Sequence, residues 1–313
     1  MKSLLAKIYF IFFIAVLAIA PVFSQTNSGE RIRSGFQLLQ SEDFQAAATA
    51  FSVILRAEPD NYKARLGLAI ALVGLEKPAE ASREIAKLLA RSPKDAKLLE
   101  MAAQTFWQQK RYAETEKVLK RRLDLDGATA ELWALYGDAL DAQKKTIEAV
   151  AAYEQAVKKN PDSINYRYAL GSLYWKQIRY DDATREFTQI LKRQPNEPRA
   201  SFNLGDIYLT NGEAAKAIPF LETAVEIFPE EFDTRFALGR AYLLTNKYQT
   251  AIEQLESAVK LRPEIAEGFY QLGLALQKSG RREEAKIVFK KTQELQKAKR
   301  AAEAPTTLPR NNQ

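Results

Sequence analysis

The 313-residue chain contains no histidine and no cysteine. That double absence removes the imidazole of Ser-His-Asp and Cys-His hydrolases, the usual ligands of zinc and haem, and every disulfide scaffold. A lipid anchor on cysteine is excluded as well. Glycine and proline are sparse, at 13 and 12 residues. Collagen-like, linker-like and loop-rich chains need more of both. What is present is a 46% apolar share, enough to bury a core, so wholesale disorder is excluded. A mean hydropathy of −0.33 excludes a polytopic membrane protein.

The first residues read as an address. Lys2 and Lys7 precede an unbroken apolar run from Ile8 to Ala20, with small residues beyond it. That order is the pattern of a secretory signal peptide over residues 1–24. Cleavage is expected after Ser24, with Val22 and Ser24 as the small pair and Gln25 as the new first residue. A cut after Ala20 would place Pro21 directly behind it, a poor substrate. The alternative is an uncleaved N-terminal membrane anchor, although 13 residues fall short of the ~20 of a spanning helix. Loss of the two lysines would lower the net charge from +7 to +5. The expected destination is the periplasm or the exterior, and the lack of thiols fits an oxidising compartment.

From Ser28 onward the chain repeats every 34 residues. The eight units are 28–61, 62–95, 96–129, 130–163, 164–197, 198–231, 232–265 and 266–299, without insertion or deletion. Position 8 of each unit is Gly or Ala, from Gly35 and Ala69 to Gly239 and Gly273. Position 20 is Ala except for Thr115. Position 24 is large and apolar, as in Phe51, Tyr153 and Phe187. Position 32 is Pro until Lys297, except for Gly127. Apolar residues at positions 4, 7 and 11 (Trp133, Tyr136 and Leu140 in unit four) follow helical spacing, and a second stripe holds Ala149, Tyr153 and Ala156. Each unit therefore predicts two antiparallel helices, the second ended by proline. Small residues at positions 8 and 20 predict a close helix crossing. Pro219 falls inside the predicted second helix of repeat six and should bend it locally, which a solvent face tolerates.

These offsets resemble the tetratricopeptide repeat, whose signature is Trp, Leu-Gly, Tyr, Ala, Phe, Ala and Pro. The resemblance covers residues 28–299. It implies an all-α, right-handed superhelical solenoid of antiparallel helix pairs, with first helices lining a concave groove. The third unit departs most, through Thr115 and Gly127. Residues 300–313 read as the end of the last helix and a disordered tail.

No room remains for a catalytic domain, and there is no phosphate loop, dinucleotide fingerprint or calcium loop. Neighbouring acids such as Asp181 and Asp182 do not face one site on a helix. The chain reads as a non-enzyme with no cofactor and no metal. Charge by unit runs −2, +3, +2, −2, +2, −4, +1 and +4, which lacks the continuous basic stripe a nucleic acid would need. The basic last unit reads as a solvated cap, or as a peripheral contact for anionic envelope material.

By resemblance, partner contacts fall at positions 2, 5, 9 and 12 of the first helices. Position 5 reads Ile32, Leu66, Glu100, Ala134, Tyr168, Phe202, Phe236 and Tyr270, so the last four units present an aromatic row. Trp107, Asp141 and Trp175 stand at position 12, and Asp138, Asp206 and Arg240 at position 9. Aromatic anchors beside fixed charges suit a protein partner, bound as an extended peptide or a helix. The competing reading of the position-5 aromatics is packing between units. A clamp for a terminal carboxylate, known in some family members, lacks support. Asn203 matches it, but Tyr168, Ser172, Asp233 and Ala237 do not. The sequence-level reading is an exported binding scaffold in assembly of an envelope, secretion or pilus complex. The alternative is a binder of surface or wall polysaccharide.

Overall fold

The computed structural model describes residues 28–303. Among these, sixteen helices occur and no strand. They fall into two compact units. Unit 1 contains α1 (Ser28–Gln40), α2 (Phe44–Ala57), α3 (Tyr62–Gly74), α4 (Pro78–Arg91), α5 (Ala96–Gln108), α6 (Tyr112–Leu123), α7 (Ala130–Asp141) and α8 (Thr146–Lys159). Unit 2 contains α9 (Ile164–Lys176), α10 (Tyr180–Arg193), α11 (Pro198–Thr210), α12 (Ala214–Ile227), α13 (Phe232–Leu244), α14 (Tyr248–Leu261), α15 (Ala266–Lys278) and α16 (Arg282–Glu303). The expected signal segment and the final residues lie outside the described range. No described helix is long and apolar enough to cross a membrane.

Odd-numbered helices are the first of each pair, and they start at position 1 of every repeat. A polar side chain just ahead supplies the N-cap in several of them. Asn61, Asp95, Thr129, Ser163 and Glu197 accept from the backbone N–H of Ala64, Leu98, Leu132, Tyr166 and Ala200. The turn into the second helix is uniform. Its position 15 is left-handed in all eight pairs, with φ between 55° at Glu76 and 89° at Gly280. The next N–H then bonds back five residues, as from Lys77 to the Leu72 carbonyl at 2.9 Å and from Arg179 to Tyr174 at 2.9 Å. This is a Schellman closure, which satisfies the last carbonyls of the first helix.

Ile178 occupies that left-handed position at φ 61° and is 73% exposed. A β-branched residue is strained there, and its side chain gains little burial. Ile178→Gly is expected to stabilise the protein by about 1 kcal/mol. A lower urea midpoint for the variant would contradict this.

In the six pairs with glycine at position 8, the position-24 side chain lies on that glycine. A Cβ at Gly171 would stand 2.9 Å from the Phe187 ring, and one at Gly205 would stand 2.6 Å from Leu221 Cγ. The sequence predicted close helices here. The structure names the close neighbour as a buried side chain, with the Ala217 carbonyl second at 3.4 Å. Gly205→Leu should therefore overpack the crossing and cost about 1–3 kcal/mol. A midpoint within error of wild type would refute this contact.

Recurrent polar brackets tie the pairs together. Arg65 and Arg167 reach Glu84 and Glu186 at 2.5 and 2.6 Å, and Arg235 reaches Gln254 at 2.9 Å. Each spans the same interval from first to second helix.

The third repeat differs for a visible reason. Its second helix, α6, has 12 residues where α4 and α8 have 14, and Gly127 turns the chain at φ 78°. Arg122 is buried at a position that is Ile54, Leu88 and Ile190 elsewhere. It pairs with Glu100 at 2.6 Å and donates to the Asp126 and Gly127 carbonyls at 3.4 Å.

Pro219 is exposed inside α12, which runs through it from Ala214 to Ile227. The last helix presents Lys286 and Gln293 where α14 buries Ile252 and Val259 against α15. These two positions are therefore polar, as a terminal cap requires, although Ile287 beside Lys286 is exposed.

Candidate functional site

Unit 2 brings several of the expected residues into mutual contact along its first helices. Tyr168 on α9 is half-buried. Its ring leans on Phe187 at 5.8 Å between centroids, and the Arg199 guanidinium sits over it at 4.6 Å. Asn203 Nδ2 on α11 donates to the Tyr168 hydroxyl at 3.2 Å. These bonds join α9 to α11. Nearer the helix ends, the Trp175 indole donates to the Asp206 carboxylate, while its ring stays 40% exposed. Burial pushes Asp206 above the usual carboxylate range, and the Trp175 bond and the Arg240 charge partly offset this. Arg240 on α13 lies over the Phe236 ring at 5.7 Å, and Phe236 stacks on Phe232 at 5.3 Å. Trp175 and Asp206 are thus linked between α9 and α11, and the Arg240 charge on α13, held over Phe236, acts on Asp206 through space.

The position-5 aromatics have two roles. Phe202 and Phe236 are half-buried against the hydrophobic core of unit 2. Tyr270 packs its ring on Phe289 at 6.0 Å and remains 42% exposed. Packing between helices is real at all four positions. It leaves Tyr270 and Trp175 with open aromatic surface.

The residues expected in unit 1 are arranged differently. Trp107 is half-buried and leans on Tyr112 at 5.2 Å, closing its own helical hairpin. Asp138 is half-buried and accepts from the Tyr153 hydroxyl. Its carboxyl is raised by burial and by the Asp141 charge, against the lowering effect of the Tyr153 bond. Asp141 follows one turn later on α7. Among the described residues no three Asp, Glu, His or Cys side chains converge as a metal-binding group.

Two features escaped the sequence reading. Glu100 occupies a contact position but is spent on Arg122. Arginine at an apolar register position, with an acid at position 5 of the same repeat, was the available signal. Glu222, exposed on α12, accepts from the Tyr242 hydroxyl, and burial with this carboxylate raises Tyr242 to about 12.

Paired helices in constant register, with side chains linked from one first helix to the next, define an all-α repeat scaffold. Tetratricopeptide repeat models match residues 38–105, 137–177, 168–232, 239–280 and 266–299. The chain belongs to the tetratricopeptide repeat family and is a protein-interaction scaffold. Solved structures with the same fold include MamA 41-end from Desulfovibrio magneticus RS-1. It is 24% identical, covers 56% of this chain and 98% of its own, and has a TM-score of 0.52. MamA MSR-1 is 25% identical over 54% of this chain and 98% of its own, with a TM-score of 0.50. No curated protein matches the chain in sequence.

Proposed function

We propose that the first-helix side of unit 2 is a groove that binds an extended or helical segment of a partner protein, without catalysis. One observation carries this: open aromatic surface at Trp175 and Tyr270 flanks charges that the protein already holds in place. Asp206 is fixed by the Trp175 indole, and Arg240 by the Phe236 ring. Anchors set before binding leave only the ligand to be ordered, which lowers the entropic cost of association. Aromatic and arginine anchors of this kind dominate protein interfaces.

The basic, apolar N-terminal sequence supports action outside the cytoplasm, in assembly of an envelope, secretion or pilus complex. Open aromatic rings also suit sugar stacking, so envelope polysaccharide is the competing ligand. Co-purification from the producing cells tests the reading. Wild-type protein should retain a discrete protein partner that Trp175→Ala combined with Arg240→Ala loses, while helical content is unchanged. Retention of the partner by the double variant would sink the groove. Salt-sensitive pelleting with protein-free wall material would favour the polysaccharide. Intact mass from fractionated cells tests export: the mature chain should begin at Gln25, and a cytoplasmic protein retaining Met1 would refute processing.

A further inference from the structure

The outer side of unit 1 carries a groove that the first-helix reading leaves unused. It is open, about 610 Å3 in volume, and lies between α2 and α4 with α3 as its floor. α2 contributes small side chains to its wall. Ala48, Thr49 and Ser52 stand where α12 carries Ile218, Pro219 and Glu222. Leu68 of α3 and Leu75 just beyond its end line the floor, with Leu72 buried beneath them.

The walls differ in character. Arg56 is the one charged residue of α2. Val53 on the same helix is 47% exposed. The other repeats place a polar residue at its position, from Lys87 and Arg121 to Ser257 and Lys291. An apolar residue there breaks the surface rule that its repeats obey. The opposite wall, α4, is charged. Its Glu84 is consumed by Arg65 at 2.5 Å and Lys87 at 2.8 Å, and Lys77 stands 4.0 Å from Glu80. Among the described residues, Arg83 donates to the Ala79 carbonyl at 3.3 Å and neither Arg83 nor Arg56 forms an ion pair. Two guanidiniums therefore line a trough of mixed polar and apolar character with their charge unspent.

We infer that this groove docks an acidic amphipathic helix of a partner protein. Its apolar stripe would lie on Val53, Leu68 and Leu75, with carboxylates on Arg56 and Arg83. An open trough cannot enclose a small ligand, whereas a helix about 10 Å wide can lie along it. Unpaired guanidiniums select carboxylates, which offer two acceptor oxygens to the guanidinium fork. The inference stands apart from the unit 2 groove, because every residue it uses belongs to unit 1.

Fluorescence anisotropy with the full chain tests it. The probe is a synthetic helical peptide about as long as α2, with leucines at helical spacing and glutamates flanking them. A twin replaces the glutamates by lysines. The acidic peptide should bind saturably and the twin should not. Val53→Glu and Arg83→Glu should each weaken binding about tenfold, a change of roughly 1.4 kcal/mol. Both sites are exposed, so circular dichroism should be unchanged, and Trp175→Ala should leave the affinity intact. Equal binding of the twin, no saturable binding, or indifference to both variants would overturn the inference. So would dimerisation that Val53→Glu abolishes, which would make the occupant a second copy. Binding to phosphatidylglycerol vesicles that needs Val53 would likewise overturn it, by identifying a lipid.

Discussion

Glu100→Ala is expected to lower stability by about 3 kcal/mol, far more than an ordinary surface change, because it strands Arg122 as a buried unpaired cation. The figure sits at the low end of such losses because the Glu100 side chain keeps 38% exposure while Arg122 has 7%. The double variant Glu100→Ala with Arg122→Ile separates charge from packing. It restores the isoleucine that repeats one and five carry at this position, Ile54 and Ile190. Hydrophobic replacement of a whole buried pair is often neutral or stabilising, so the double variant should return to within about 1 kcal/mol of wild type. Urea midpoints for the four proteins of this cycle measure the coupling. Additive losses would mean that the pair does not interact.

Phe187→Ala should cost about 3–5 kcal/mol, the usual range for deleting a fully buried phenylalanine. Phe187 has no exposed surface and fills the space that Gly171 opens. It also backs the Tyr168 ring, so its loss should loosen the binding face together with the core. Phe187→Leu installs what repeats three, six and seven already use there, Leu119, Leu221 and Leu255. That swap should cost under about 1.5 kcal/mol. A Phe187→Ala midpoint close to wild type would show that position 24 is not the packing centre of the repeat.

The helical array was legible because its signals are local and repeated. Proline at position 32, small residues at 8 and 20 and large apolar residues at 24 each recur across the chain. The left-handed turn at position 15 was hidden, because Glu42, Lys110 and Ile178 do not announce a positive φ as glycine does. Its source is the helix closure, which imposes the conformation on whichever residue stands there. The Arg122–Glu100 pair was hidden by its spacing, since only the fold brings residues 22 apart in sequence to 2.6 Å. At the candidate site, the row of aromatics was readable but its burial was not. Phe202 and Phe236 turn largely into the core, whereas Trp175 and Tyr270 keep open surface. Trp107 shows the limit of register reasoning most clearly. It shares position 12 with Trp175, yet Tyr112 at the start of α6 draws its ring into the hairpin.

The first-helix side of unit 2 is proposed to receive a protein segment. In-cell photo-crosslinking tests it most directly, with a photoreactive phenylalanine placed at Trp175 or at Tyr270. Glu226, exposed on α12, serves as the control on the second-helix side. One discrete protein adduct is expected from both first-helix positions and none from Glu226. The same adducts from all three positions, or none from Trp175 and Tyr270, would contradict it and leave these aromatics as packing residues.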